Sequence, residues 1–216
     1  MSGKNCVIVT SVICPDSAPL SYSTTRSIYT PEQRYQQTVE TIHSVRAYLP
    51  GADVCLVECS PPCAEIADLE EQVEVFVNLY PDDNIRKNPA KGVGEACMLY
   101  AALDNLDINS YDNFFKLSGR YVLNSRFNID AYMNDKVVLK RTMHYGGDSM
   151  HTFFYKFPSK EAQFFKNLFK LASLDAQDSA IEIYMLKHMD MSKVLHLEAP
   201  IGIIARWSCY DTVAHF

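Results

Sequence analysis

The residues of this chain that could do chemistry gather at the ends of short apolar runs. Asn113–Ser118 reads NFFKLS and runs directly into Gly119, Arg120 and Tyr121. An arginine placed there keeps its charge at any ordinary pH and offers a planar fork of N–H donors that matches the oxygens of a phosphate or carboxylate. Gly119 would let the backbone come close to such a group. A structural salt bridge is the rival reading of Arg120. Thr10-Ser11 closes the run that begins at Cys6, and Glu58 and Ser60 close the run that begins at Val54. Their oxygens suit a polar ligand, and equally the capping of a strand end. Lys91 stands where a helix begins, beside N–H groups that favour anions, although solvent is the commoner surrounding of any lysine. Two carboxylates in the second half suit the removal of a proton from an attacking hydroxyl. One is Asp148, in the loop His144-Tyr145-Gly146-Gly147-Asp148. The other is Glu182, whose segment Ser179-Ala180-Ile181-Glu182 also reads as a capping box. His144 and His151 suit contact with an anion or a metal, and a lone histidine is more often structural.

These residues need elements to position them. Cys6–Ile13, a β-branched apolar run, predicts a buried first strand. Cys14–Tyr29, rich in Pro, Ser and Thr, predicts a loop. Thr30-Pro31-Glu32-Gln33 predicts a capped helix with proline at its first position. Tyr35, Val39, Ile42, Val45 and Leu49 continue it at helical spacing, and Pro50-Gly51 ends it. Further strands are expected over Val54–Cys59, Val73–Leu79, Asn113–Ser118, Lys136–Arg141, Phe153–Phe157, Val194–Leu197 and Ile201–Trp207. Further helices are expected over Gly92–Leu106, Lys160–Leu171 and Ser179–His188, the second with Phe164, Phe165, Leu168 and Phe169 as core. Gly92-Val93-Gly94 reads as the turn that opens a helix, and Pro81-Asp82-Asp83-Asn84 as a loop turn. Alternation of strand and helix in the first half points to a parallel sheet with helical crossovers, and the second half looks mixed. Ligands of such sheets sit beyond the carboxyl ends of the strands, where the strand order reverses.

Composition narrows the class. The chain has 216 residues, 48% hydrophobic and 21% charged, with a net charge of -6, which fits one ordinary globular domain. There is no basic run to follow a nucleic-acid backbone, so an anionic substrate would be held by a few local cations. The cysteines number 7, an odd count, several in apolar runs, which suits reduced thiols and a cytoplasmic setting. Cys55, Cys59 and Cys63 lack a convincing fourth ligand for zinc. No signal peptide is seen at Met1–Asn5, and no stretch approaches the ~18 apolar residues of a membrane span. GxGxxG after the first strand, GxxxxGK[ST], GxSxG and HExxH are all missing, which argues against dinucleotide-binding, P-loop, α/β-hydrolase and zincin sites.

Residues 91–128, KGVGEACMLYAALDNLDINSYDNFFKLSGRYVLNSRFN, resemble a group of GT-A-like glycosyltransferases in which a helix precedes a strand reading FKLSGRY. Members occur in bacterial surface-polysaccharide clusters and in large DNA viruses of algae. Arg34–Ser60 also fits, through a helix with the rhythm T..TI.S.R...P and a strand ending in an acid and serine, and the end of the chain is a looser match. The resemblance implies one α/β, GT-A-like (Rossmann-like) domain over 1–216 with a mixed, mostly parallel sheet. Residues up to about 125 would form its nucleotide-binding half and those from about 126 its acceptor-side half. It implies transfer of a hexosyl or deoxyhexosyl unit from a nucleoside diphosphate sugar, UDP-sugar first, to a glycan hydroxyl. Thr10, Ser11, Glu58, Ser60, Lys91, Ser118, Gly119 and Arg120 would then bind the donor, and Arg120, Asp148 and Glu182 would carry catalysis. The wider pattern holds Mn²⁺ or Mg²⁺ with Asp-x-Asp where this chain has Ser118-Gly119-Arg120. Arg120 is therefore expected to take over part of the metal's role, the rival being a metal held by the diphosphate and by other acids or histidines. A non-catalytic sugar- or nucleotide-binding domain is the alternative reading. A nucleotidyltransferase would share the layers but lacks its glycine-rich first loop here.

Overall fold

The structure, a computed structural model, describes residues 4–144, 147–175, 180–209 and 212–216, with the backbone alone for Met143, His144, Gly147 and Asp148. The first half runs β1 (Asn5–Ser11), α1 (Pro31–Tyr48), β2 (Asp53–Glu58), α2 (Ala64–Glu71), β3 (Val75–Asn78), the one-turn α3 (Asp83–Arg86), α4 (Lys91–Asn105) and β4 (Asn113–Ser118). The second half adds β5 (Tyr121–Leu123), β6 (Val137–Leu139), β7 (Arg141–His144), β8 (Gly147–Met150), β9 (Phe154–Pro158), α5 (Ala162–Asp175), α6 (Ile181–His188), β10 (Val194–His196), β11 (Ile203–Arg206) and β12 (Val213–His215).

The main sheet has 7 strands in the order β10-β6-β9-β4-β1-β2-β3. β1 pairs in parallel with both β2 and β4, and β2 with β3, whereas β9 runs antiparallel to β4 and β6. Both faces are covered, so the central strands read as near-continuous apolar runs. Cys6, Ile8 and Phe114 pack under α4, α5 and α6, and Val7, Val9 and Phe115 pack under α1 and α2. The strand order reverses between β1 and β4, because the crossovers leave β1 on opposite sides. A small sheet, β12-β11-β5, and the hairpin β7-β8 lie outside the main one. Among the described residues no helix is long and apolar enough to cross a membrane.

The mixed, mostly parallel sheet is the one the sequence predicts, with differences at the level of elements. β1 stops at Ser11, two residues before Ile13, because Ile13 donates its N–H to a side chain instead of a strand. α2 was not anticipated: only Ile66 and Leu69 of its 8 residues are buried, too few for a visible period. The Pro81–Asn84 turn becomes the start of α3, with Asp82 accepting from the N–H of Asn84 at 2.8 Å. β5 and β12 have three residues each, and β7 and β8 four mostly polar ones, too few to show a period of two. Phe164, expected in the core, is 39% exposed on α5, while Phe165, Leu168 and Phe169 are buried. The Thr30 capping box is present in full: Thr30 Oγ1 accepts from Gln33 N–H and Gln33 Oε1 from Thr30 N–H. Ser179 lies outside the described residues, and α6 begins at the cap Ala180 with no side-chain bond.

Candidate functional site

α1 carries polar side chains on the face it buries, and they fix the tip of β4. Thr38 Oγ1 donates to the carbonyl of Gly119 at 3.0 Å and lies 2.9 Å from Ser11 Oγ. Ser44 Oγ, further along the helix, accepts from Leu123 N–H of β5. Gly119 N–H in turn donates to Thr10 O at 2.9 Å. A methyl group on Gly119 would sit 2.9 Å from both Ser11 Cβ and Thr10 O, so glycine is needed for the tip of β4 to close on β1. Thr10, Ser11, Ser118, Gly119 and Arg120 are thus one constellation at the switch point.

Arg120 follows that closure. It is 9% exposed and its Nε has no partner. Arg34, one helical turn before Thr38, is 5% exposed and donates to Val12 O and to Ser27 Oγ. Lys91 opens α4 and donates to Ser208 Oγ at 2.8 Å, while Ser208 O accepts from Ile28 N–H. Ser27 and Ser208 therefore tie Arg34 and Lys91 to the same short stretch of chain. The charges act on one another. Burial pushes the Arg34 guanidinium down to about 9, with Arg120 the next largest cause. Lys91 is exposed as a residue, yet its ammonium is driven well below the usual lysine range, first by enclosure of the charged end and then by Arg120 and Arg34. None of the three cations forms an ion pair with an acid among the described residues. Like charges held this close raise the energy of the fold unless an anion joins them.

Beside this cradle lies a neutralised cluster. Lys116 of β4, fully buried, ion-pairs with Glu95 of α4 and donates to Ser118 Oγ at 2.8 Å. Burial lowers its proton affinity and the Glu95 carboxylate opposes that change. Thr10 Oγ1 reaches Glu95 Oε1 at 3.4 Å. Glu182 accepts from Thr152 Oγ1 at 3.0 Å, and burial raises its pKa, with the Glu95 charge adding to the shift. Two glycines bring these groups together. A methyl group on Gly92 would sit 3.0 Å from Ile181 Cβ, and one on Gly94 3.2 Å from Ile85 Cα. The opening turn of α4 is therefore packed between α6 and α3.

Glu58 and Ser60 end β2, both fully buried. Glu58 Oε1 accepts from Ile13 N–H, Cys59 N–H and Ser60 Oγ, and Ser60 Oγ accepts from Cys14 N–H, so this pair shapes the loop after β1. Glu58 Oε2 has no partner, and burial raises the carboxyl's pKa. The side chains of Asp148 and His144 lie outside the described residues, and His151 packs against Phe153 and Phe216. A cavity of about 310 Å³ between Tyr132, Leu197 and Ile201 shares no lining residue with the cradle. Sequence reasoning missed Arg34, Thr38 and Glu95 and passed over Lys116 within its motif. A lysine inside the apolar run NFFKLS was the usable signal, because a buried ammonium demands a carboxylate.

The residues at the Asp-x-Asp place do not fit a divalent cation. A guanidinium with a free N–H occupies it, Glu95 is committed to Lys116, and Glu58 is walled in.

The architecture is that of solved glycosyltransferases. The crystal structure of the glycosyltransferase GlyE from Streptococcus pneumoniae TIGR4 matches 90% of this chain with a TM-score of 0.55 at 11% identity. Its apo form matches 90% with a TM-score of 0.54 at 12% identity. A glycosyltransferase involved in the glycosylation of the major capsid of PBCV-1 matches 88% of this chain and 82% of its own length, with a TM-score of 0.51 at 11% identity. The chain spans 45% of the length of GlyE. No protein-family model and no curated protein sequence matches the chain.

Proposed function

We propose that this chain transfers a sugar from a nucleoside diphosphate sugar, a UDP-sugar first, to a glycan hydroxyl. The observation that carries the reading is the unneutralised cradle of Arg34, Lys91 and Arg120 at the strand-order switch. In open α/β sheets that is where ligands bind, and the glycosyltransferase fold supports the choice of ligand. Arg120 and Lys91 hold the leaving diphosphate, whose added charge their preset N–H donors stabilise without reorganisation. Thr10, Ser11 and Ser118 line the floor of the nucleotide site, with Gly119 drawn close beneath. Ser60 and Glu58 act indirectly, by setting the loop after β1. Glu182, whose burial strengthens it as a base, and Asp148 are the candidates to take the acceptor proton.

Arg120→Gln should lower turnover of a UDP-sugar by about 10²-fold or more, the effect of removing one preset donor, with little change in melting temperature. Near wild-type transfer by this variant would remove Arg120 from the reaction. The second reading is a non-catalytic binding domain, favoured by Ser118-Gly119-Arg120 standing at the Asp-x-Asp place. Release of free UDP during incubation with donor and a panel of glycans separates the two.

A further inference from the structure

We propose that the diphosphate site is built to work without a divalent metal, three fixed cations taking the metal's place. This rests on the sugar-nucleotide reading of the same site and adds to it the identity of the neutralising groups. A diphosphate beside a metal needs its charge balanced by two positive units and its oxygens held in fixed directions. Arg34, Lys91 and Arg120 offer three positive charges from α1, α4 and the turn after β4, so they converge from three elements rather than along one. Each has hydrogen-bond anchors of its own, those of Arg34 and Lys91 meeting at Ser27 and Ile28. Arg34 is pinned by Val12 O and Ser27 Oγ at 2.6 and 3.1 Å, Lys91 rests on Ser208 Oγ at 2.8 Å, and Arg120 leaves a turn locked by Gly119 and Thr38.

The site also offers an anion a buried donor. Arg120 is nine-tenths buried and its Nε–H has no acceptor. An unsatisfied buried donor on a charged group is expensive, and an anionic acceptor would complete it. The same field repels a divalent cation. Glu95, whose carboxylate reaches the edge of the site, is neutralised by Lys116, and among the described residues no group of three or more His, Cys, Asp and Glu is placed to hold a metal. Lys91 resting on a neutral hydroxyl fits as well: an ammonium exchanges a serine oxygen for a phosphate oxygen at a net gain, because a charged acceptor is the stronger one.

The test is calorimetric titration of the whole chain with inorganic pyrophosphate and with UDP, each in EDTA and again with Mn²⁺. Both ligands are expected to bind in EDTA, and Mn²⁺ should change their Kd less than threefold. Arg120→Gln and Lys91→Gln should each weaken both ligands by about tenfold to hundredfold, the loss of a charged hydrogen bond, and Mn²⁺ should restore neither. Lys91 is exposed, so that variant folds even if the Arg120 variant does not, and melting curves show which does. Pyrophosphate binding in EDTA with no nucleotide binding would leave the cation site standing and sink the sugar-nucleotide reading. Binding of UDP only with Mn²⁺ would overturn the metal-free site and leave that reading intact. No binding of either ligand under either condition would overturn both.

Discussion

Two lysines are fully buried in adjacent antiparallel strands, and they have been settled in opposite ways. Lys116 of β4 stands opposite Tyr155, and Lys156 of β9 stands opposite Phe115, one residue along and on the other face of the sheet. Lys116 faces α4, where the carboxylate of Glu95 meets it beside Thr10 and Ser118. Lys156 faces the α1 side and, among the described residues, donates to the carbonyls of Asn134 and Lys136. The first lysine keeps a counter-charge at the edge of the cradle. The second closes the backbone leading into β6. A buried ammonium can thus be held by charge or by carbonyl dipoles, and here the charged solution is the one that lies beside the cradle.

The contrast breaks first at Lys116. Lys116→Met should cost about 3 kcal/mol in urea unfolding, the lower end for halving a buried ion pair, because Glu95 keeps some contact with water. Replacing both partners, Lys116→Met with Glu95→Leu, should return at least half of that loss in a double-mutant cycle. A single variant as stable as the parent would mean the pair holds nothing. Lys156→Met should cost about 2 kcal/mol through two carbonyls left without donors, with UDP affinity unchanged; a matching fall in affinity would erase the difference between the two faces.

The pH response sharpens the comparison further. Burial pushes the Lys156 ammonium down to about 8, so the folded protein releases that proton before the unfolded chain does. Between about pH 8 and 10 the unfolded state then binds more protons, and stability from this site rises with pH. The stability gap between the parent and Lys156→Met should widen by about 2 kcal/mol over that range. A constant gap would show that the carbonyls keep the ammonium at its ordinary value. The smallest effect belongs far from either lysine. Thr30→Ala, which removes the cap of α1, should lower stability by about 1 kcal/mol and leave nucleotide binding alone; a change in Kd would show that α1 moves with its cap.

The sequence makes the central strands legible because both faces of them are covered, so Val7–Val9 and Val54–Val57 show as unbroken apolar runs. The capping box of α1 is legible because its partners are three residues apart. The tip of β4 is half legible. Arg120 stands out by residue type, and Lys91 by its place at a helix start. Arg34 does not, because it lies 86 positions from Arg120 along the chain, and only the docking of α1 on the β4–β5 turn brings them together. Glu95 was hidden for the same reason: nothing local to GVGEAC tells that α4 turns this residue toward a lysine in the next strand. Glu58 shows the reverse. Its strand-end position invites a ligand role, while its Oε1 is taken up by backbone and serine donors that sequence cannot reveal.

The paired glycines of α4 have one more consequence. Because α6 and α3 touch the helix through Gly92 and Gly94, the position of its opening turn is set from outside, by how near those neighbours may lie. Lys91 and Glu95, four residues apart on the same rod, travel as a unit when it tilts. One added methyl at Gly92 would therefore press on Ile181 and shift the opening turn of the helix with every charged side chain still attached to it.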